Sequence, residues 1–183
     1  QRIINTAESL TATAVHLVYG HGADQLQANV SGQQINWCLQ AEQLGTGHAV
    51  MQTVEHISDE EDVMILVGDA PLIKADTLQR LIDVKASCDL ALLTVNLDDP
   101  TGMGRIIRND DNIVAIVEHK DATEAQRAIT EINTGMMMMP GKDLKRWLSE
   151  LNNDNAQGEY YLTDVIAMAA AEGKRIQSAQ PQA

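Results

Sequence analysis

Ile35-Asn36-Trp37-Cys38-Leu39-Gln40-Ala41-Glu42-Gln43-Leu44-Gly45-Thr46-Gly47-His48-Ala49 is a short apolar run, a glycine-bearing turn and the opening of a helical pattern that extends to about His56. A strand feeding such a turn and then a helix leaves backbone N–H groups free at the helix start, an arrangement suited to an anion or a nucleobase carbonyl. A second junction of the same kind follows at Val63-Met64-Ile65-Leu66-Val67-Gly68-Asp69-Ala70-Pro71-Leu72. It reads as a buried strand ending on one carboxylate, Asp69, and ligands of open α/β sheets gather at such strand ends.

Outward from these junctions the chain alternates strand and helix. A helical pattern over 3–10 precedes a β-branched, apolar strand over 14–19, read as buried; a turn at 20–22 and a short helix over 23–30 follow. Beyond the 35–39 strand and a helix over 47–57 come a strand over 62–67, a helix over 75–84 with Leu78, Leu81 and Ile82 on one face, and a strand over 90–95. This βαβαβ series implies a parallel, doubly wound sheet. The rhythm then changes. A turn-rich loop over 98–104 leads to a hairpin of strands over 105–108 and 113–118. Next come a helix over 123–128, an extended run over 131–139 broken by Pro140-Gly141, helices over 143–151 and 161–171, and a strand over 175–178. These elements add antiparallel strands to one edge. The expectation is one α/β domain over 1–183 with a mixed, mostly parallel sheet flanked by helices.

The 183 residues suffice for one domain with a real core, and 44% hydrophobic with 21% charged residues is ordinary for a globular protein. The formal net charge of −13 and the lack of a basic stripe argue against nucleic acid as a partner, because phosphate contacts need clustered Lys and Arg. A compact nucleotide whose charge is masked by Mg²⁺ remains compatible. Two cysteines, Cys38 and Cys88, lie far apart in apolar surroundings and read as buried, reduced thiols of a cytoplasmic protein. No apolar stretch reaches the length of a membrane span, so no membrane partner is expected.

Several side chains carry chemistry. Gln40 and Gln43 flank the glycine turn, and amides can read the donor and acceptor edge of a base. His48 reads as a surface or packed histidine. Asp69, after Val, Met, Ile and Leu, is costly to bury without a partner, and a divalent cation shared with phosphate oxygens would supply one. A nucleotide-reading turn beside a metal-grade carboxylate suggests nucleotidyl transfer. Glu118 closes the apolar run 113–117, and Asn133 is an amide inside an extended apolar segment that must find a hydrogen-bond partner, for which a sugar hydroxyl or N-acetyl group would serve. The run Met136 to Met139 reads as a core strand.

Taken in order, 39–49, 68–72, Asp99-Pro100-Thr101-Gly102-Met103-Gly104-Arg105-Ile106, Val117-Glu118-His119-Lys120-Asp121-Ala122, Glu131-Ile132-Asn133-Thr134-Gly135 and Asn155-Ala156-Gln157-Gly158-Glu159-Tyr160-Tyr161-Leu162-Thr163-Asp164 are far more specific together than any one alone. The chain resembles, over essentially its whole length, the N-terminal uridyltransferase (pyrophosphorylase) domain of the bacterial bifunctional N-acetylglucosamine-1-phosphate uridyltransferase/glucosamine-1-phosphate acetyltransferases. The resemblance implies a Rossmann-like nucleotide-diphospho-sugar transferase fold. It also implies Mg²⁺-dependent transfer of UMP from UTP to N-acetylglucosamine 1-phosphate, giving UDP-N-acetylglucosamine, a precursor for peptidoglycan and lipopolysaccharide, and pyrophosphate. By resemblance Gln40 and Gly45 contact uracil with Thr46 nearby, and Asp69 is the catalytic metal ligand. Gly104, Glu118 and Asn133 hold the sugar, and Tyr161 and Thr163 line the same pocket.

The resemblance has departures. The family's glycine-rich phosphate loop has no counterpart in these residues, and its second metal ligand, an Asn, falls beyond Ala183. The expectation is therefore a domain truncated at both ends and impaired as a catalyst by itself. Val67 and Met103 stand where the family often has Tyr. The parent protein is expected to form homotrimers through a C-terminal β-helix whose repeat is not found here. Two alternatives stay open: a related transferase using another sugar phosphate or a cytidine donor, and a non-catalytic sugar-nucleotide binding or assembly module.

Overall fold

The structure, a computed structural model, describes residues 1–20, 26, 28–32 and 35–182. In chain order the elements are α1 (Arg2–Ser9), β1 (Val15–Tyr19), β2 (Ile35–Leu39), α2 (Thr46–Met51), β3 (Asp62–Ile65), α3 (Ala75–Lys85), β4 (Leu90–Asn96), β5 (Arg105–Asn109), β6 (Asn112–Val117), α4 (Glu124–Arg127), β7 (Glu131–Pro140), α5 (Gly141–Glu150), α6 (Asp164–Ala171) and β8 (Ile176–Ala179). Of the turn expected at 20–22 and the helix expected over 23–30, residues 21–25 and 27 lie outside the described residues.

Six strands form the main sheet. β6, β5, β7, β4 and β8 follow one another, and β3 pairs with β7 on the edge that β7 also presents to β5. Strands β3, β4, β5 and β8 run one way and β6 and β7 the other, so the sheet is mixed with a majority direction. β1 and β2 make a separate parallel pair. Antiparallel strands were expected at one edge. β6 lies there, but β7 lies in the middle, because it is long enough to meet β4 along one side while dividing the other between β5 and β3.

Alternation along the central strands builds two cores. Leu90 and Leu92 of β4 with Met137 and Met139 of β7 face Leu144, Trp147, Val165 and Ile166 from α5 and α6. Ala91, Leu93 and Met136 face Leu78 and Leu81 from α3. The methionine run is thus core on both faces, as its composition suggests. Cys38 and Cys88 are free and buried, and burial pushes both thiols above their ordinary value. No helix among the described residues is long and apolar enough to cross a membrane.

Some boundaries move. The helix expected over 47–57 stops at Met51 and gives way to a 3₁₀ turn at Val54–His56, where the Thr53 hydroxyl bonds back to the Val50 carbonyl at 2.7 Å. The helix expected from Tyr161 begins at Asp164, leaving Tyr161 and Thr163 on the turn before it. The strands over 14–19 and 62–67 were expected to be buried. Both are half-buried or more open, because β1 pairs only with β2 and β3 only with β7 among the described residues.

Candidate active site

The glycine turn is built around a close approach of two chain segments. Gly45 has φ +111°, and a Cβ there would lie 2.6 Å from the Tyr160 carbonyl oxygen, so only glycine fits. The Gly47 N–H donates to the Tyr160 carbonyl (2.8 Å), the Tyr160 N–H to the Leu44 carbonyl (2.8 Å), and the Leu162 N–H to the Thr46 hydroxyl (3.1 Å). The helix that follows has six residues. One N–H of its start, that of Gly47, is thus taken by the Tyr160 carbonyl, so the set of N–H groups expected to be free there is engaged in part. Gln40 is fixed as well: its amide nitrogen donates to the Gly45 carbonyl (3.1 Å) and lies 3.1 Å from His48 Nδ1. Its amide oxygen is the group left to meet a base.

A second cluster forms where β5, β6 and β7 meet the 160–163 turn. A Cβ on Gly104 would meet both Glu118 carboxylate oxygens, at 3.3 and 3.4 Å. The Thr163 hydroxyl donates to Glu118 Oε1 (3.0 Å), and the Asn133 N–H donates to the Gly104 carbonyl (2.9 Å). The structure therefore brings Gly104, Glu118, Asn133 and Thr163 together, as expected. Tyr161 is adjacent, its hydroxyl donating to Asp121 (3.3 Å), and burial raises its phenol above the ordinary range. Burial, and then the charges of Glu118 and Asp121, likewise push the Asp164 carboxyl up.

Asn133 sits in a bulge. Between Leu92 and Thr94 the β4–β7 register slips: Leu92 pairs with Met137 but Thr94 with Asn133. Gly135 takes φ +80°, its N–H donates to Asn133 Oδ1 (3.1 Å), and the Thr134 hydroxyl donates to the Leu93 carbonyl (2.7 Å). Bulges re-aim side chains. Asn133 thus finds a partner within the chain for its oxygen, and its NH₂ is what it can offer a ligand.

Asp69 stands exposed in the turn after β3. The argument that its burial demands a partner therefore fails. Val67, two residues before Asp69, packs beside the bulge, its Cγ1 2.6 Å from where a Gly135 Cβ would be. Among the described residues no group of three or more His, Cys, Asp or Glu is placed to cage a metal. One exposed carboxylate suits a hard cation that keeps several waters and is shared with phosphate.

Sequence reading missed Arg105, His119, Lys120 and Gln157. The last three line a small cavity of about 110 Å³ with Gly102 and Glu118. Lys120 donates to Gln157 at 2.5 Å, and Arg105 lies 1% exposed behind them. A charge opening the apolar run Arg105-Ile106-Ile107 was the signal available for Arg105.

Comparison with known proteins follows the same lines. A family model described as "MobA-like NTP transferase domain" matches residues 1–132. "Bifunctional protein GlmU" of Pseudoalteromonas atlantica is 69% identical over 181 residues, 99% of this chain. This bears out the resemblance read from the motifs, and the chain spans 40% of that protein's length. Among solved structures, UDP-glucose pyrophosphorylase complexed with UDP-glucose superposes with TM-score 0.72 at 16% identity, covering 98% of this chain and 76% of that one. HddC from Yersinia pseudotuberculosis gives TM-score 0.62 at 17% identity, covering 98% and 74%. These distant structures bear out the fold. The chain belongs to the MobA-like NTP transferase domain family.

Proposed function

We propose that this domain serves the transfer of UMP from UTP to N-acetylglucosamine 1-phosphate, yielding UDP-N-acetylglucosamine and pyrophosphate. The carrying observation is the Gly104–Glu118–Asn133–Thr163 cluster. Glu118 is oriented by Thr163 at one oxygen, and its other oxygen is available to accept from a sugar hydroxyl or amide N–H. The Asn133 NH₂, with its oxygen held by Gly135, is a donor for an N-acetyl carbonyl. The Gln40 amide oxygen accepts from uracil N3–H, whereas cytosine N3 carries no proton; this favours a uridine donor over a cytidine one.

In the reaction a phosphate oxygen of the sugar phosphate attacks the α-phosphorus of UTP. A P–O bond forms there, the bond to the β-phosphate bridge breaks, and pyrophosphate leaves with the electron pair. Mg²⁺ held by Asp69 supplies charge neutralisation on the phosphates when bound. The protein's share is alignment: the turn residues Gln40, Gly45 and Thr46 fix the base, and the Glu118 cluster, with Tyr161 alongside, fixes the sugar.

Calorimetric titration with UDP-N-acetylglucosamine and Mg²⁺, with UDP-glucose for comparison, tests this reading. Saturable binding that prefers the N-acetyl sugar is expected; equal or absent binding by the folded chain would defeat it. A second reading, sugar-nucleotide binding without turnover, is favoured by the charge of the pocket. Lys120 is the one cation among the cavity-lining residues, and Gln157 already engages it. Pyrophosphate release assayed on the same sample separates the two.

A further inference from the structure

Arg105 is a guanidinium at 1% exposure that hydrogen-bonds no carboxylate among the described residues; Asp99 is near enough only to feel its charge. Arginine stays charged in proteins, so its placement carries a desolvation cost that a partner usually offsets. Here the partners are different. One terminal nitrogen donates to the Met103 carbonyl. The other donates to the Arg127 carbonyl (3.3 Å) and lies 3.3 Å from His119 Nδ1. Arg127 in turn donates through Nε to the His119 carbonyl (3.2 Å). Arg105, Arg127 and His119 thus form a closed loop that grips the histidine at its backbone and at one ring nitrogen. Arg105 Nε itself is buried with no partner, so the side chain is oriented by the Met103, His119 and Arg127 contacts alone.

A guanidinium has only donors. Facing it, His119 Nδ1 has to offer a lone pair, since an N–H there would oppose another N–H. The ring proton then belongs to Nε2, the other nitrogen of a side chain that lines the cavity with Glu118 and Lys120. We infer that Arg105 is a positioning residue that fixes His119 as its Nε2–H tautomer, making that N–H a hydrogen-bond donor to an acceptor oxygen of the sugar phosphate beside Glu118. The Glu118 carboxylate can only accept, so a neutral donor from the next residue would complement it, a pairing suited to a polyhydroxylated ligand. The identity of the ligand rests on the function proposed above; the tautomer does not.

The test uses ¹⁵N-histidine-labelled protein, with the His119 signals identified by their absence in H119Q. In the free protein the proton is expected on Nε2 and not on Nδ1, and addition of UDP-N-acetylglucosamine with Mg²⁺ shifts Nε2–H. In folded R105M both tautomers appear. A glutamine amide nitrogen reaches the place of Nε2 and an asparagine one that of Nδ1, so H119Q retains affinity to within about threefold while H119N loses about tenfold, one hydrogen bond's worth. A proton on Nδ1 in the wild-type protein overturns the inference whether or not R105M folds, and so does full affinity in H119N. An Nε2 proton in a folded protein that fails to bind the sugar nucleotide overturns the proposed function and the donor role with it. The Arg105–His119 coupling is then supported by the loss of the single tautomer in R105M.

Discussion

Strands β1 and β4 read alike and end differently. Val15-His16-Leu17-Val18-Tyr19 and Leu90-Ala91-Leu92-Leu93-Thr94-Val95-Asn96 are both apolar runs of strand length. In β4, Leu90 to Leu93 are at most 1% exposed, with β8 on one edge, β7 on the other, and helices over both faces. In β1 every residue is only half-buried, and β2 is its sole ladder partner among the described residues. Burying a leucine fully is worth about 1.5–3 kcal/mol, and partial burial scales with area, so equal composition yields unequal stability. The number of neighbours a strand acquires decides its burial, and neighbours are a property of topology.

The comparison is most severely tested in the β4 half. Trp147 of α5 is fully buried against the central strands, and its indole N–H donates to Glu172 (3.0 Å). Trp147→Ala is expected to cost about 3–5 kcal/mol in urea unfolding followed by circular dichroism. A loss below about 1 kcal/mol would mean that α5 is a loose cover and the contrast between halves is false. Next in size is Gly135→Ala, which combines a left-handed φ with a Cβ 2.6 Å from Val67. About 2 kcal/mol is expected. Adding Val67→Ala should recover the overlap and leave the backbone part, about 1 kcal/mol. Full recovery in the double variant would show that φ is not strained.

That bulge also shows where sequence reading ran out. Local pattern was enough for the strand and helix order, because hydrophobic period and turn residues are local signals. Burial of β1 and β3, and β7's place between β3 and β4, depend on partners far away in the chain. For the site, Glu118 and Asn133 stood out as polar residues at the ends and interiors of apolar runs, and Gly104 through the motif it shares with its neighbours. Asp69 stood out too, though the reasoning from burial was wrong because its turn is open to solvent. The engagement of the glycine turn by Tyr160 and Leu162 joins residues more than a hundred positions apart, and nothing local announces it. Arg105 was legible only as an oddity, a charge where β5 begins.

Smaller in effect is the ion pair that ties β5 to β7. Arg108 meets Glu131 with two nitrogens at 2.9 Å each, and the Thr94 hydroxyl donates to the same carboxylate at 2.8 Å. The Arg108 hydrogen bonds, against an opposing burial effect, hold the Glu131 carboxyl below its ordinary value of 4.5. A depressed acid stabilises above the unfolded value and loses that contribution as pH falls through the folded one. Glu131→Gln should therefore cost about 1.5 kcal/mol at neutral pH. The gap to the wild type should narrow as pH drops below 4.5. A gap independent of pH would assign the loss to shape rather than charge. In the other half, Leu17→Ala on half-buried β1 should cost about 1 kcal/mol and leave amide protection in β4 unchanged. Loss of β4 protection would merge the two regions into one cooperative unit.

The smallest effect separates the halves by pH. His16 of β1 stacks on His56 with ring centroids 5.6 Å apart, and its Nδ1 lies 3.2 Å from the Asn36 amide nitrogen of β2. Burial first, and then the neighbouring His56, lower its pKa below 6.5, with Glu61 opposing. A base whose folded value is lowered binds its proton more readily unfolded, so stability declines as pH falls below 6.5 toward the folded value. The ring is only half-buried, so solvent screens much of this and the loss should be slight. It should also be local. Amide protection factors at pH 7 and pH 5 should fall in β1 and β2 and hold in β4, and His16→Gln should remove the difference. A fall shared equally by β4 would show that β1 does not open by itself, and that the half-burial of its residues conceals a coupling to the six-stranded sheet.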